Sequence, residues 1–142
     1  MQTIHATAVV IGNRCVLLRG PSGAGKSDLA LRLIDGGAML VADDRTELIR
    51  EQGDLIARCP SAIAGRLEVR GIGILTFPYV SPATVSMVVD LVAPKEVERL
   101  PEAAFVELLG GQVRQVSLAP FEASAPAKVR LALERADRCC AG

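Results

Sequence analysis

The sequence predicts an α/β fold, a P-loop-containing mixed β-sheet with flanking helices. Two observations carry this prediction. One segment fits the phosphate-binding pattern G-x-x-x-x-G-K-[ST], and it lies between an apolar strand and a helix-forming stretch. Half of the residues are hydrophobic while only 3% are aromatic, so the core is aliphatic, as suits a sheet covered by helices. The residues of this phosphate loop are Gly20, Pro21, Ser22, Gly23, Ala24, Gly25, Lys26 and Ser27.

Length and composition narrow the classes of protein. A chain of 142 residues forms one domain with a substantial core, so we assign residues 1–142 to a single unit. The 16 basic and 16 acidic residues balance, which does not favour a nucleic-acid partner. No apolar run reaches membrane-spanning length and the N-terminus lacks a leader pattern, so we expect a cytoplasmic protein with no membrane partner. The cysteines show no C-x-x-C spacing and are expected to be free thiols: Cys15, Cys59, Cys139 and Cys140.

The first part of the chain predicts a hairpin that leads into the phosphate loop. Thr3–Ile11 is apolar and strand-like, and the turn Gly12-Asn13 returns it as the strand Cys15–Arg19. An antiparallel partner at this position departs from a plain parallel nucleotide-binding sheet. After the loop, the stretch Asp28–Asp35 predicts a helix with one apolar face, which Gly36-Gly37 closes.

The middle of the chain predicts further strands and a turn-rich segment. Met39–Ala42 has the composition of a buried strand. Thr46–Arg50 and Leu55–Cys59 flank a polar turn and predict a second hairpin. Ser61–Gly65 predicts a brief helical turn, and Leu67–Leu75 mixes strand-like residues with glycines.

The last part of the chain predicts three strands and a closing helix. Thr84–Val92 contains an apolar run, and the polar segment Pro94–Leu100 with a helical turn follows it. Val106–Leu109 and Val113–Leu118 are shorter strands. Pro126 begins the last helix, which we expect to run through Asp137.

The phosphate loop predicts a nucleotide site. Its glycines let successive backbone N–H groups converge on phosphate oxygens, because no Cβ blocks the approach. Lys26 supplies a cation for the outer phosphates, and Ser27 offers a hydroxyl to Mg²⁺. The N-terminus of the following helix adds a favourable dipole.

Phosphoryl transfer also needs carboxylates, for the metal and for the proton of the nucleophile. Asp43 and Asp44 end the strand after the helix, where side chains can reach a bound phosphate. Neighbouring strand residues point to opposite faces, so one aspartate faces the site more directly unless an irregular strand end brings in both. Glu68 is a further candidate, and Gly71 and Gly73 beside it indicate a backbone that another group approaches closely.

Three segments together resemble a known family. Gly20–Ser27, Val41–Arg45 and Leu67–Ile74, with their order and spacing, resemble the catalytic domain of bacterial HPr kinase/phosphorylase. The resemblance covers most of the chain and implies that fold. It also implies an ATP-dependent and Mg²⁺-dependent kinase that phosphorylates a serine of the phosphocarrier protein HPr. Family members also reverse the reaction by phosphorolysis, in which inorganic phosphate attacks the phosphoserine and gives pyrophosphate.

The resemblance implies a role for each matching residue. Lys26 would contact the transferred phosphate, and Ser27 and Glu68 would serve the Mg²⁺ site. Asp44 matches the proton acceptor for the serine hydroxyl, and Asp43 beside it would help position the metal or the base. Two more distant residues match family positions as well: His5 the catalytic histidine, and Arg99 an arginine that stabilises phosphoryl charge.

The sequence also departs from the family pattern. We expect the family's N-terminal domain to be absent, because His5 lies at the start of the sequence, and Phe77–Ala83 looks shorter than the family's loop there. Ala125–Arg130 resembles a stretch linked to dephosphorylation but lacks a glycine before the arginine. Kinase chemistry is therefore better supported than phosphorolysis. Full-length relatives form hexamers, so a homo-oligomer is a further expectation.

Two other function classes stay open. A small-molecule P-loop kinase would need a substrate pocket and usually an arginine-rich lid, which is not evident. A non-catalytic nucleotide-binding switch would bind the nucleotide without needing Asp44 for turnover.

Overall fold

The computed structural model describes residues 1–141, and the side chains of residues 1–136. Two α-helices pack on a nine-stranded mixed sheet, and a separate two-stranded hairpin lies beside it. The strands are β1 (Gln2–Ile4), β2 (Ala6–Ile11), β3 (Arg14–Arg19), β4 (Met39–Ala42), β5 (Thr46–Glu51), β6 (Asp54–Arg58), β7 (Arg66–Val69), β8 (Gly73–Thr76), β9 (Ala83–Leu91), β10 (Ala104–Leu108) and β11 (Gly111–Leu118). The helices are α1 (Lys26–Asp35) and α2 (Ala125–Ala141), with 3₁₀ turns at Ser61–Ile63 and Pro94–Glu96. The predicted α/β class with a mixed sheet is confirmed.

The strand β3, which leads into the phosphate loop, lies inside the sheet. It pairs antiparallel with β2 on one side and parallel with β9 on the other. The C-terminal half of β9 also pairs parallel with β11, while its first residues pair antiparallel with β6. Three parallel strands (β3, β9 and β11) therefore end at one edge of the sheet, and the predicted hairpin before the phosphate loop is confirmed.

The prediction of one continuous strand over Thr3–Ile11 is wrong. The strand breaks at His5, because its two halves have different partners: β1 pairs with β5, whereas β2 pairs with β3 and β4. The side-chain hydroxyl of Thr46 donates to the Ala6 carbonyl at 2.9 Å and ties the two parts of the sheet together there. Hydrophobic composition was continuous across the break, so the pattern alone did not reveal it.

Two other segments differ in detail from their predictions. Leu67–Leu75 forms the hairpin β7–β8, in which Leu67 pairs with Leu75. The last helix begins at Ala125 and continues past Asp137 to Ala141. Cys139 and Cys140 lie outside the described side chains, while Cys15 and Cys59 are free.

The sheet packs on both faces. Val16 and Leu18 of β3 point to the face that both helices cover, together with Leu29 and Leu33 of α1. Leu17 of β3 points to the other face, where it belongs to the cluster formed with β5 and β6. This alternation is the period of two expected for a strand buried on both sides. No helix within residues 1–141 combines the length and the apolar composition that a membrane crossing requires.

Candidate active site

The phosphate loop joins the carboxyl end of β3 to the first residue of α1. Gly23 and Gly25 have φ angles of 82° and 101°, in the left-handed region that favours glycine. The Leu29 N–H donates to the Gly25 carbonyl at 2.9 Å, so helical hydrogen bonding begins at the end of the loop. The positive end of the helix dipole therefore faces the space above the loop.

Lys26 folds back across the loop from the first turn of α1. Its side chain is 5% exposed, and its Nζ donates to the carbonyls of Gly20 at 2.7 Å and Pro21 at 3.1 Å. The same Nζ lies 3.6 Å from Oδ1 of Asp44. The ammonium group is thus held between the loop backbone and a carboxylate, where it can contact a phosphate.

Asp43 is fixed by three donors. Its Oδ1 accepts hydrogen bonds from the hydroxyls of Ser27 at 2.7 Å and Thr7 at 3.0 Å. Its Oδ2 accepts from the backbone N–H of Glu68 at 3.1 Å. This carboxylate links α1, β2 and β7, and its position beside the Ser27 hydroxyl forms a pair of hard oxygen donors.

Asp44 lies in the left-handed region, with φ at 69°. Its N–H donates to the Thr7 hydroxyl at 3.0 Å, and its Oδ1 lies 2.5 Å from Nε2 of His5. Because β4 ends at Ala42 and the backbone turns, both aspartates face the site. The irregular strand end, rather than strict alternation, is therefore the arrangement present.

A cavity of about 290 Å³ lies over the loop. Lys26, Ser27, Asp44, Glu68 and Arg70 line it, together with loop glycines and Phe121. The structure thus brings the phosphate loop, both aspartates, His5 and Glu68 to one edge of the sheet. It does not bring Arg99 there: Arg99 is exposed between the second 3₁₀ turn and β10, and it is not among the described residues that line the cavity.

The residues present fit a magnesium ion. The Ser27 hydroxyl and the Asp43 carboxylate lie 2.7 Å apart, and the Glu68 side chain lines the same cavity. No group of three His, Cys, Asp or Glu side chains with metal-binding geometry occurs among the described residues. Few protein ligands and hard oxygen donors suit Mg²⁺, which usually keeps several waters and binds substrate phosphates.

Sequence reasoning missed Thr7. This residue is fully buried, and its hydroxyl contacts both Asp43 and the backbone of Asp44. A buried hydroxyl needs hydrogen-bond partners, so a lone polar residue inside the apolar stretch Ala6–Ile11 was the available signal. Arg70 and Phe121 were missed as well. Arg70 lies in the stretch Leu67–Ile74 that carried the resemblance but was given no role, and nothing in the local sequence of Phe121 indicates a site.

Arg130, the last residue of the altered stretch Ala125–Arg130, lies at the other end of α1. Arg130 Nη2 donates to the Leu33 carbonyl at 3.1 Å and lies against Gly36. Lys128 Nζ pairs with Glu122 at 3.0 Å. Neither cation lines the cavity over the phosphate loop.

Comparisons with known proteins agree on one family. The family model described as HPr Serine kinase C-terminal domain matches residues 1–129. HPr kinase/phosphorylase of Cupriavidus necator is 37% identical over 127 residues, and that of Leptothrix cholodnii is 42% identical over 117 residues. These matches cover 82% and 73% of this chain but only 39% and 36% of the relatives, so the chain corresponds to a part of each.

A solved structure gives the same result. The Hpr(Ser) kinase/phosphatase from Coxiella burnetii superposes with a TM-score of 0.88 at 30% identity, and the match covers 100% of both chains. The fold, the phosphate-loop edge and the sequence matches thus point in one direction. The chain belongs to the HPr serine kinase C-terminal domain family.

Proposed function

We propose that this chain is an ATP-dependent protein kinase that uses Mg²⁺ to phosphorylate a serine of HPr. The observation that carries the proposal is the contact of Asp44 with both His5 and Lys26, at 2.5 Å and 3.6 Å, beside the phosphate loop. Asp44, as proton acceptor, and Lys26, as phosphate-binding cation, would thus act within one cavity, with His5 behind the carboxylate. The choice of HPr as the substrate follows from the names of the relatives, HPr kinase/phosphorylase.

Binding and charge stabilisation fall to the loop and Lys26. The backbone of the loop and the N-terminus of α1 would hold the nucleotide phosphates, and Lys26 would balance the charge on the transferred group. Because Lys26 is already held by two carbonyls, little reorganisation is needed when the phosphate arrives. Preorganised charge of this kind contributes directly to transition-state stabilisation.

Asp44 would act as the base. The serine oxygen attacks the γ-phosphorus as the bond to the leaving ADP oxygen breaks, and the serine proton passes to Asp44. His5 holds the accepting carboxylate in place through its Nε2. In phosphorolysis, an oxygen of inorganic phosphate would attack the phosphorus of the phosphoserine as the bond to the serine oxygen breaks. Asp44 would give a proton to that serine oxygen, and pyrophosphate would leave.

A bound Mg²⁺ would neutralise charge on the nucleotide phosphates, with Ser27 and Asp43 as its protein ligands and Glu68 nearby. Thr7 and the Glu68 N–H orient the Asp43 carboxylate toward Ser27. Arg99 would need to move to the phosphates to act as a charge stabiliser, and the segment around it lacks regular structure in the range 97–103.

The β7–β8 hairpin favours a protein substrate over a small molecule. Ile72 in its turn and Ile74 on β8 are 73% and 68% exposed, next to Glu68 and Arg70 of the site. Exposed apolar residues beside a site are typical of protein contact surfaces. A small-molecule kinase remains the alternative, as does a nucleotide-binding switch, for which Asp44 would not affect turnover.

The deciding experiment incubates the chain with ATP, Mg²⁺ and HPr and locates the phosphate by mass spectrometry. We expect a single phosphoserine on HPr, and none on an HPr variant in which that serine is replaced by alanine. Asp44→Asn serves as the matched inactive enzyme. Nucleotide binding without HPr phosphorylation would support the switch, and transfer to a small molecule instead would support the other alternative.

A further inference from the structure

We propose that a second cavity, beside the phosphate loop, binds the purine base of the nucleotide, and that Phe121 forms the wall between base and phosphates. We name it the lateral cavity. Its walls are Pro21 and Ala24 of the phosphate loop, the segment after β9 and the segment 119–122 after β11. Its volume is about 620 Å³, which is ample for a purine. The inference rests on the proposed function, because it places a second part of the same nucleotide.

The topology of the sheet puts this cavity where the base should lie. The strands β3, β9 and β11 are parallel neighbours, so their carboxyl ends share one edge. Open α/β sheets bind ligands in the crevice outside the carboxyl ends of such strands. The phosphate loop occupies the end of β3, and the lateral cavity occupies the ends of β9 and β11. A nucleotide held by its phosphates can therefore extend over these two strands.

The chemistry of the two cavities differs in the way that the two ends of a nucleotide differ. The cavity over the loop contains Lys26 and Arg70, which attract phosphate. The lateral cavity is mostly apolar, and the charged residues among its described lining are Glu96 and Glu122. Glu122 is paired with Lys128, and Glu96 accepts the Ala93 N–H. The remaining lone pairs of both carboxylates can accept hydrogen bonds from the amino group of a purine. An uncharged, flat, amino-bearing group fits this cavity.

Phe121 connects the two cavities. Its ring lies directly against the loop: a Cβ on Gly25 would be 2.8 Å from the ring Cζ. The residue lines both cavities, yet it is 69% exposed. A large exposed aromatic ring beside a nucleotide site offers a surface on which a base can stack.

The walls are held in place before any base arrives. Arg32 of α1 donates from Nη1 to the Glu122 carbonyl at 3.2 Å, and its Nη2 donates to the Pro120 carbonyl. The other wall is tied to β11 by the Val92 N–H, which donates to the Leu118 carbonyl at 3.0 Å. Both segments are therefore anchored to regular structure, which limits the ordering cost of binding.

The test compares ATP with inorganic tripolyphosphate, by titration calorimetry on the whole chain with Mg²⁺. Two variants alter the lateral cavity: Ala93→Trp fills it from an exposed position, and Phe121→Ala removes the stacking surface. We expect Ala93→Trp to weaken ATP binding roughly tenfold, the scale of one base-stacking contact, while tripolyphosphate binding stays unchanged. Phe121 also lines the cavity over the loop, so Phe121→Ala should lower the affinity for ATP more than the affinity for tripolyphosphate. Phe105→Ala, at a 52% exposed phenylalanine on β10, is the matched control and should change neither.

Several outcomes would overturn the inference. Unchanged ATP affinity in both variants would do so, as would equal losses of ATP and tripolyphosphate affinity, or wild-type binding of tripolyphosphate as tight as that of ATP. None of these touches the proposed function, which depends on HPr phosphorylation by the wild type. Conversely, selective loss of ATP affinity in a chain that fails to phosphorylate HPr would support the base site and reject the kinase.

Discussion

The two ends of α1 contact residues from different segments that resemble the family, and these residues have different surroundings. At the N-terminal end, Lys26, Asp43 and Asp44 converge on the phosphate loop. At the C-terminal end, Arg130 bonds to the Leu33 carbonyl. The helix has ten residues, so about 15 Å separates its ends.

This difference separates the residues proposed for phosphoryl transfer from Arg130, which belongs to a stretch that resembles one linked to dephosphorylation. A cation at a helix C-terminus satisfies open carbonyls and interacts favourably with the dipole. Arg130 therefore has a structural role that needs no substrate. We infer that a short segment that resembles a family motif shares its chemical role only if its side chains reach the reacting atoms.

The largest expected effect comes from the N-terminal end. Asp44→Asn keeps the size of the side chain but removes an anionic proton acceptor, so transfer to HPr should fall roughly 10²- to 10⁴-fold while ATP affinity survives. Single-turnover phosphorylation and nucleotide titration on one variant measure both quantities. A parallel loss of Mg²⁺-dependent nucleotide binding would assign Asp44 to the metal, and near-normal transfer would exclude both roles.

A second substitution at the same end tests the cation. Lys26→Met removes the charge at similar volume, and transfer should drop roughly 10²- to 10³-fold with weaker ATP binding, since charge stabilisation is lost. The quantity to follow is the HPr phosphorylation rate over a range of ATP concentrations. Undiminished turnover would show that the phosphate loop does not act as proposed.

The C-terminal end should respond in stability rather than in chemistry. Arg130→Ala should lower the free energy of unfolding by about 2 kcal/mol, the scale of a charged hydrogen bond, and change the two reaction directions by the same small factor. Urea unfolding and paired assays of phosphorylation and pyrophosphate release measure this. A selective loss of phosphorolysis in Arg130→Ala would show that Arg130 takes part in that reaction.

We also expect the wild type to have a higher ratio of kinase to phosphorylase activity than full-length relatives, because the stretch Ala125–Arg130 lacks the family's glycine.

The smallest expected effect concerns Cys15, which is buried in β3 of the sheet on which α1 packs. Burial raises the pKa of the Cys15 thiol from 9.0 to about 12. Above pH 9 the unfolded chain releases this proton while the folded chain keeps it, so stability present below pH 9 is lost as the pH rises toward 12. At pH 10 the wild type should have lost about 1.4 kcal/mol more than Cys15→Ala has, relative to pH 8. Parallel pH profiles would show that the thiol is accessible in the folded protein.

Local sequence signals predicted most elements because strands and turns here follow local chemistry. The turn between β5 and β6 is an example: Gln52 and Gly53 both have positive φ, as a two-residue hairpin turn requires. The break at His5 was not predictable, because it depends on a change of partner between β5 and β3. In the site, the phosphate loop was evident from its pattern, whereas His5 and Arg99 rested on resemblance alone. Thr7 and Phe121 contact residues far away in the sequence, Asp43 and Gly25, and no local sequence pattern indicates such contacts.

The central position of β3 has a consequence for how the protein acquires its site. One neighbour of β3 is β2, which a two-residue turn supplies at once, while the other is β9, which begins only at Ala83. Closing such a long loop is slow, so we expect this contact to form late in folding. Before β9 pairs with β3, the hairpin β2–β3 would hold the phosphate loop from one side only. A nucleotide bound as proposed should therefore bind only the completed sheet, and it should slow global unfolding without accelerating the first folding steps.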